Sequence, residues 1–242
     1  MPMLVIHMDT RTSMHINSTN HGLADIRLMQ LVSPTLPIGA FTYSQGLEWA
    51  VENSQLDNPE KVYDWMKGII EDGLTYLDIP VLKRLYQAFK RNDEIQVSYW
   101  SEYLLASRET RELRQEENNR GRALGSLLLD LGVNDANHYQ KALQRTQLAG
   151  FALASVNWQI PLQQAALGYG WSMVENQVAA AIKLIPLGQT AGQKLQLQLT
   201  ELLPLAIDKG LSIDDEDIGA SSPAMAMASS LHETQYTRLF RS

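Results

Sequence analysis

Few residues in this chain could do phosphate or metal chemistry, and the first candidate is a glycine-containing loop that ends in lysine. The segment Gly188–Lys194 has two glycines and a lysine, as a phosphate-binding loop does. However, only three residues separate the glycines, Gln193 precedes the lysine, and Leu195 follows it in place of serine or threonine. We read the segment as the start of a helix, and we expect no nucleotide hydrolysis by this chain alone.

The histidines do not have the spacing of a metal hydrolase. A zinc-binding helix that began at His232 would need its second histidine where Tyr236 stands. His7, His15 and His21 lie near the N-terminus, and their wide spacing predicts at most loose metal binding. We therefore assign no metal ligand and no catalytic residue.

Composition excludes several classes of function. The net charge of -7 argues against broad binding to nucleic acid or to an anionic membrane, because both favour a strongly basic face. The absence of cysteine excludes disulfides, thiolate metal sites and a cysteine nucleophile, and it fits a cytoplasmic protein. We expect no signal peptide and no membrane span, since no apolar run approaches the roughly 20 residues that a span needs.

The hydrophobic pattern predicts an all-α fold. Apolar residues recur at helical spacing, and no segment alternates as a strand would. We predict a single-domain bundle of roughly eight to ten helices over residues 23–211. A mobile extension (1–22) would precede it and a flexible, partner-docking tail (212–242) would follow it, because both regions lack sustained periodicity.

Several helix boundaries can be predicted from capping residues and prolines. Asn58 and Pro59 are typical of a helix start. Asp78–Pro80 predicts the start of a second helix, antiparallel to the first. Pro161 would begin a helix from Leu162 to Leu184, and Pro204 would kink or break the helix that starts at Gln189. Asp135 would cap a helix that runs toward Val156.

The stretch from Leu28 to Glu52 is the most informative part of the chain. Ser33-Pro34 ends one helix, and a second helix would carry Phe41, Leu47 and Val51 on one side. The intervening turn is either a plain connector or a wall of a small-molecule pocket. The residues that we assign to this structural motif are Pro34, Pro37, Gly39, Tyr43, Ser44, Gln45, Gly46 and Glu48.

The densest run of charge extends from Arg108 to Glu117. Arg108 and Glu112 are four residues apart, so the default interpretation is a solvated helix face. The alternative is a basic cluster that contacts a charged partner. The candidate residues for such a contact are Arg108, Arg111 and Arg114.

The last residues form an apolar and basic segment after an acidic run and a stretch of small residues. Exposed aromatic and arginine side chains are typical of interface anchors, so we expect this segment to dock on a protein. The docking candidates are Tyr236, Arg238, Leu239, Phe240 and Arg241.

Four blocks of sequence together resemble the UreF family of urease accessory proteins. The pattern SPxLPIGxFxYSxGLE is highly specific, and the other blocks follow in the order and spacing typical of the family. The blocks are LMQLVSPTLPIGAFTYSQGLE (28–48), RETRELRQEENNRGRAL (108–124), ENQVAAAIKLIPLGQTAGQKL (175–195) and HETQYTRLFRS (232–242).

The resemblance implies an all-α, cytoplasmic, non-enzymatic protein that forms a homodimer. It implies binding to the D-type or H-type accessory protein (UreD/UreH), recruitment of the UreG GTPase, and GTP-dependent nickel insertion into apo-urease. The C-terminal tail would dock on UreD/UreH. No resident cofactor is implied, and nickel would be a transient cargo.

Two alternatives to the scaffold stay open. One is a direct nickel carrier that uses the N-terminal histidines. The other is a helical small-molecule regulator in which Tyr43, Ser44, Gln45 and Glu48 line a pocket.

Overall fold

The computed structural model describes residues 22–242, and every regular element in this range is a helix. The predicted all-α class is confirmed for this part of the chain. None of its helices is long and apolar enough to cross a bilayer. The predicted N-terminal extension, with His7, His15 and His21, lies outside the described residues apart from residue 22.

The α-helices in chain order are α1 (22–31), α2 (Leu47–Glu52), α3 (Pro59–Ile69), α4 (Ile79–Arg91), α5 (Glu94–Ala106), α6 (Arg111–Asp130), α7 (Gln140–Leu143), α8 (Gln147–Asn157), α9 (Leu162–Leu184), α10 (Gln189–Thr200), α11 (Leu203–Ser212) and α12 (Pro223–His232). Three segments have other helical geometry: 3₁₀ turns at Ala40–Thr42 and Asp215–Asp217, and a π-helix at Ile70–Asp78.

Helix α8 lies at the centre of the core, between α4 and α6. Every residue from 147 to 155 is buried, and a helix that is buried on all sides marks the middle of a core. A Cβ atom at Gly150 would lie only 2.9 Å from Leu124 Cδ2 of α6. Glycine therefore lets α6 and α8 approach closely.

The local capping signals are confirmed where a side chain or a proline defines the helix start. The Asn58 side chain accepts a hydrogen bond from Lys61 N at 3.0 Å, and Pro59 is the first residue of α3. Pro161 precedes α9, which has the predicted bounds. Pro204 lies in the first turn of α11, so the predicted long helix is broken there rather than kinked.

Helix α3, the π-helix and α4 form one continuous rod, so the prediction of two antiparallel helices at Asp78–Pro80 is wrong. Ile70 (φ -67°, ψ -48°) and Asp78 (φ -67°, ψ -47°) both keep helical backbone angles at the junctions. Pro80 lies inside this continuous helix, directly after the π-helical turns, where Ile79 N donates to Leu74 O, and π-helical insertions are a common adjustment of the helix hydrogen-bond ladder. The chain therefore does not need to reverse at this proline.

Two further boundaries differ from the predictions because the chain turns where the apolar pattern continues. Asp135 has φ +62° and lies in a turn, and α8 begins instead after Thr146, whose hydroxyl accepts a hydrogen bond from Ala149 N at 3.1 Å. The predicted second helix of the Leu28–Glu52 stretch is also interrupted. Gln45 (φ +54°) and Gly46 (φ +84°) both have left-handed conformations, so only residues from Leu47 onward form α2.

The region after Ser212 is not a loose tail in the structure. Helix α12 packs against α2 and α6, and Phe240 and Ser242 are buried. The sequence predicts that the small residues of this region are flexible. In the structure they allow α12 to approach the start of α2 closely. A Cβ atom at Gly46 would lie 2.6 Å from Ser229 N and 3.0 Å from Ala228 Cβ of α12.

We expect Gly46→Ala to destabilise the protein, because alanine would meet both the left-handed backbone and the α12 main chain. Backbone strain of this kind costs about 1–3 kcal/mol, before any cost of displacing α12. Urea unfolding monitored by circular dichroism measures the change in the free energy of unfolding.

The matched control is Gly68→Ala in α3, where a Cβ atom would meet nothing within 4 Å. Alanine should raise stability there by up to about 1 kcal/mol, because it has the higher helix propensity. Equal effects of the two substitutions would contradict the proposed packing of α12 on Gly46.

Candidate partner-binding surface

The C-terminal segment (residues 235–242) is held by the carboxylate of Glu48. Glu48 lies in the first turn of α2 and is 3% exposed. Its Oε1 accepts a hydrogen bond from Leu239 N at 2.6 Å, and its Oε2 accepts one from Phe240 N at 2.9 Å. One buried side chain therefore satisfies two consecutive main-chain donors of the segment.

His232 lies between Glu48 and a second carboxylate, Glu112 of α6. The imidazole is fully buried, with Nδ1 at 2.7 Å from Glu112 Oε2 and Nε2 at 3.2 Å from Glu48 Oε2. Both ring nitrogens can donate only in the imidazolium form. The imidazole therefore joins α12 to both α2 and α6.

Arg238 contacts the other oxygen of Glu112. Its Nη1 donates to Glu112 Oε1 at 2.6 Å, while Nε and Nη2 donate to the main-chain oxygens of Gln235 and Glu233. Glu112 thus contacts one side chain from α12, His232, and one from the C-terminal segment, Arg238. The predicted partner residue Arg238 is used within the chain to hold the segment in place.

The last residue of the segment binds the loop before α2. Ser242 O accepts hydrogen bonds from Ser44 N at 2.7 Å, Gln45 N at 3.0 Å and Ser44 Oγ at 2.5 Å. Arg241 N donates to Thr42 O at 2.8 Å. The left-handed conformations at Gln45 and Gly46 come directly after these donors and lead the chain into α2.

The remaining motif residues shape this loop or line the interior. Gly39 has φ +71° immediately before the 3₁₀ turn, and the exposed Pro34 and Pro37 lie in the turns that lead to it. Tyr43 is buried, and its hydroxyl accepts a hydrogen bond from Asn119 Nδ2 at 3.2 Å. The motif is therefore mainly a binding site for the chain's own C-terminal segment.

The C-terminal segment also presents side chains to the outside. Tyr236 is fully exposed and Leu239 is 67% exposed, whereas Phe240 is buried at 6%. Met227 and Leu231 on the outer face of α12 are 62% and 46% exposed. We call these four exposed side chains, Met227, Leu231, Tyr236 and Leu239, the C-terminal apolar surface.

The predicted arginine cluster divides between the interior and the surface. Arg108 lies inside, with Nη2 at 2.8 Å from Asp78 Oδ1 and 2.6 Å from Glu117 Oε1. Its side chain is 13% exposed, so the structure removes it from the surface expected to contact a partner. Arg111 and Arg114 are exposed, and Arg114 Nη1 donates to Arg108 O at 2.6 Å.

The expectation of a solvated helix face over this run is wrong for the acidic residues. Glu112, Glu116 and Glu117 are all buried in the first turns of α6. Glu116 accepts hydrogen bonds from Arg120 Nη1 at 2.6 Å and Gln45 Nε2 at 3.0 Å. Sequence reasoning missed the inward roles of Glu112, Glu116, His232 and Ser242, although the four-residue spacing of Glu112, Glu116 and Arg120 places them on one helix face.

Burial perturbs the titration of the interior groups. Desolvation raises the pKa of the Asp78 carboxyl, which the Arg108 guanidinium offsets only in part. Burial also raises the pKa of the Tyr169 hydroxyl well above its usual value. Across residues 22–242 no group of three or more His, Asp or Glu side chains is arranged to hold a metal ion.

These features define a protein whose described part, residues 22–242, is all-helical and in which the loop before α2 binds the C-terminal segment of the same chain. Comparison with known proteins identifies the family. The family model described as UreF matches residues 56–200. The urease accessory protein UreF of Alkalilimnicola ehrlichii is 51% identical over 228 residues, which cover 93% of this chain and 98% of the relative.

Other relatives give the same result. The urease accessory protein UreF of Alcanivorax borkumensis is 51% identical over 226 residues, which cover 90% of this chain and 98% of the relative. That of Pseudomonas putida strain W619 is 49% identical over 223 residues, with 92% and 100% covered. The chain belongs to the UreF family of urease accessory proteins.

We expect Glu48→Gln to loosen the C-terminal segment. An amide offers one acceptor oxygen where the carboxylate offers two, and its NH₂ group would face a main-chain donor or His232. Breaking a buried charged contact of this kind costs about 3 kcal/mol. Thermal unfolding and hydrogen exchange at the Leu239 and Phe240 amides measure the effect.

The control is Glu52→Gln at the exposed end of α2, where the carboxylate contacts only the Gln235 side chain. It should change stability by less than about 1 kcal/mol. Unchanged protection of the Leu239 and Phe240 amides in Glu48→Gln would show that Glu48 does not hold the segment.

Asp78→Asn tests the buried charge through its dependence on pH. Since folding raises the pKa of Asp78 above its ordinary value of 3.8, its stabilising contribution is complete below 3.8 and is lost as pH rises through the folded value. The wild-type free energy of unfolding should therefore fall relative to that of Asp78→Asn as pH increases from about 3.5 to 7. Urea unfolding at a series of pH values measures both free energies. If the free energy of unfolding of the wild type minus that of Asp78→Asn stayed constant or rose with pH, the prediction would be contradicted.

Proposed function

We propose that this chain is a non-enzymatic scaffold in urease maturation. In this proposal it binds the UreD/UreH accessory protein and the UreG GTPase, and it assists GTP-dependent nickel insertion into apo-urease as a cytoplasmic homodimer. The single observation that carries the proposal is the C-terminal apolar surface, which a buried network of hydrogen bonds holds in position.

The C-terminal apolar surface has the properties of a protein-binding site. Four large apolar side chains that are between 46% exposed and fully exposed occur within 13 consecutive residues, 227–239. Contiguous exposed apolar groups mark interaction sites, and tyrosine is enriched among the residues that dominate binding energy. Because residues 239–242 are anchored through their main chain, the backbone around Leu239 would lose little conformational freedom on binding.

The segment's anchoring explains how one short stretch serves two purposes. Phe240 and Ser242 point into the domain, while Tyr236 and Leu239 face outward. Lys183 Nζ lies 5.8 Å from the centre of the Phe240 ring, which adds a cation–π contact on the inner side. We assign the docking of UreD/UreH to Tyr236 and Leu239, and the positioning of both to Arg238 and Phe240.

The same contacts support a role without catalysis. Both nitrogens of His232 face carboxylates, so neither is free to act as a base on a substrate. The Ser44 hydroxyl donates to Ser242 O rather than facing a base. Gly188 precedes α10 as its N-cap, as expected for a plain helix start. In this proposal the GTP chemistry belongs to UreG.

The small-molecule alternative is less well supported than the scaffold. The cavity beside Tyr43 and Gln45 has a volume of about 50 Å³, whereas pockets for drug-sized ligands usually have about 300–1,000 Å³. Ser44 and Glu48 are occupied by the C-terminal segment. The nickel-carrier alternative rests on His7, His15 and His21, which are outside the described residues.

The double variant Tyr236→Ala/Leu239→Ala tests the proposal. Both side chains are exposed, so we expect the midpoint of thermal unfolding to stay within about 2 °C of wild type. We expect co-purification with UreD/UreH to fall at least tenfold, because hot-spot truncations commonly cost 2 kcal/mol or more each. Pull-down from co-expression with UreD/UreH and UreG, followed by mass measurement of the complex, provides the readout.

Leu205→Ala is the matched control, since Leu205 is 78% exposed on α11. It should leave co-purification unchanged. If the double variant co-purified with UreD/UreH as well as the wild type does, the C-terminal apolar surface would not be the binding site for UreD/UreH. Hydrolysis of GTP by the purified chain without partners would overturn the scaffold role itself.

A further inference from the structure

A small polar cavity lies between the loop before α2, α6 and α9. Its volume is about 50 Å³, and its walls include the charged groups of the interior network. The residues that matter to its chemistry are Gln45, Asp78, Glu116, Glu117, Arg120 and Gln177. The proposed partner-binding role uses none of this space.

Two buried polar atoms of the cavity residues have no hydrogen-bond partner among residues 22–242. They are Arg120 Nε, a donor, and Gln177 Oε1, an acceptor. Gln177 is 3% exposed, and Arg120 has a side-chain exposure of 16%. Buried polar groups in folded proteins nearly always have a protein or water partner, so these two atoms need an explanation.

The orientation of the Gln177 amide follows from its neighbours. Glu116 can only accept, so the Gln45 NH₂ group must face Glu116 Oε1, at 3.0 Å. The Gln45 oxygen then faces Gln177 and accepts from Gln177 Nε2 at 3.1 Å. This leaves Gln177 Oε1 as the acceptor without a partner, and a flip of either amide would place two like groups together.

Size and charge select the ligand. A site for one water molecule needs about 10–15 Å³ measured as the space open to its centre, so this cavity has room for a few. The three carboxylates exceed the two guanidinium groups, Arg108 and Arg120, which disfavours an anion. A cation would face the Arg120 Nε–H donor. Water can accept from Arg120 and donate to Gln177 at the same time.

We propose that this cavity is a binding site for ordered water, which bridges Arg120 Nε and Gln177 Oε1. The water hydrates the excess negative charge of the interior. It also supports the C-terminal segment indirectly, because Gln45 bonds both Gln177 and Glu116, and Glu116 Oε2 accepts from Ser242 Oγ at 3.3 Å.

Magnetisation transfer from water, measured by NMR on the full-length ¹⁵N-labelled protein, tests the proposal directly. Long-lived water should give cross-peaks to the Arg120 Nε–H and the Gln177 NH₂ group in the wild type. In Gln177→Met, which keeps the length of the side chain and removes the acceptor, the Arg120 cross-peak should be lost. Gln164→Met, at an exposed position of the same helix, should leave it unchanged.

A crystal structure of the wild type provides the second measurement, and it does not depend on any variant folding. Ordered water within hydrogen-bond distance of both Arg120 Nε and Gln177 Oε1 would support the proposal. An absence of long-lived water signals together with a dry cavity would overturn it. A metal ion or an organic molecule in the cavity would overturn it as well. None of these outcomes depends on whether the C-terminal apolar surface binds UreD/UreH.

Discussion

The requirement that buried main-chain groups be hydrogen-bonded governs the arrangement of this protein. The C-terminal segment brings the Phe240 amide and the main-chain oxygen of Ser242 into the interior, and the Leu239 amide lies partly buried beside them. Glu48 satisfies the two amides, and the loop before α2 satisfies the carbonyl. Burying Glu48 also requires a polar partner beside the carboxylate, and His232 Nε2 of α12 lies 3.2 Å from its Oε2. The position of α12, and with it the outer face of the segment, therefore follows from one carboxylate.

This requirement explains the composition of the loop before α2. The main-chain N–H groups of Ser44 and Gln45 both donate to Ser242 O, and the chain then enters α2 through left-handed conformations at Gln45 and Gly46, which glycine adopts without strain. Glycine is needed at position 46 for the additional reason that α12 passes over it. The glutamate two residues later then faces the segment. The loop before α2 and Glu48 therefore form an intramolecular binding site for the C-terminal segment.

How much of this could be predicted depends on the distance over which each signal acts. Capping residues and prolines act within one turn, so the starts of α3 and α9 could be predicted from Asn58, Pro59 and Pro161. The continuous helix from α3 to α4 could not be predicted, because a proline such as Pro80 is compatible with the start of a new helix and also with a helix that continues through it. The burial of charged side chains in the run from Arg108 to Glu117 depends on contacts between residues far apart in sequence. Arg108 pairs with Asp78, and Glu112 pairs with His232, 120 residues away along the chain. The pattern of charges alone cannot distinguish these buried pairs from a solvated helix face.

The predicted docking residues of the C-terminal segment divide between the interior of the domain and its surface. Phe240 and Ser242 are buried, whereas Tyr236, Leu239 and Arg241 are exposed. The inner residues are constrained by the domain, whereas the outer residues contribute nothing to its core. Large apolar groups such as Tyr236 and Leu239 are costly to expose at such positions unless another surface covers them. The segment therefore contains residues that hold it on the domain, such as Arg238 and Phe240, and residues whose side chains are exposed at the surface, such as Tyr236 and Leu239.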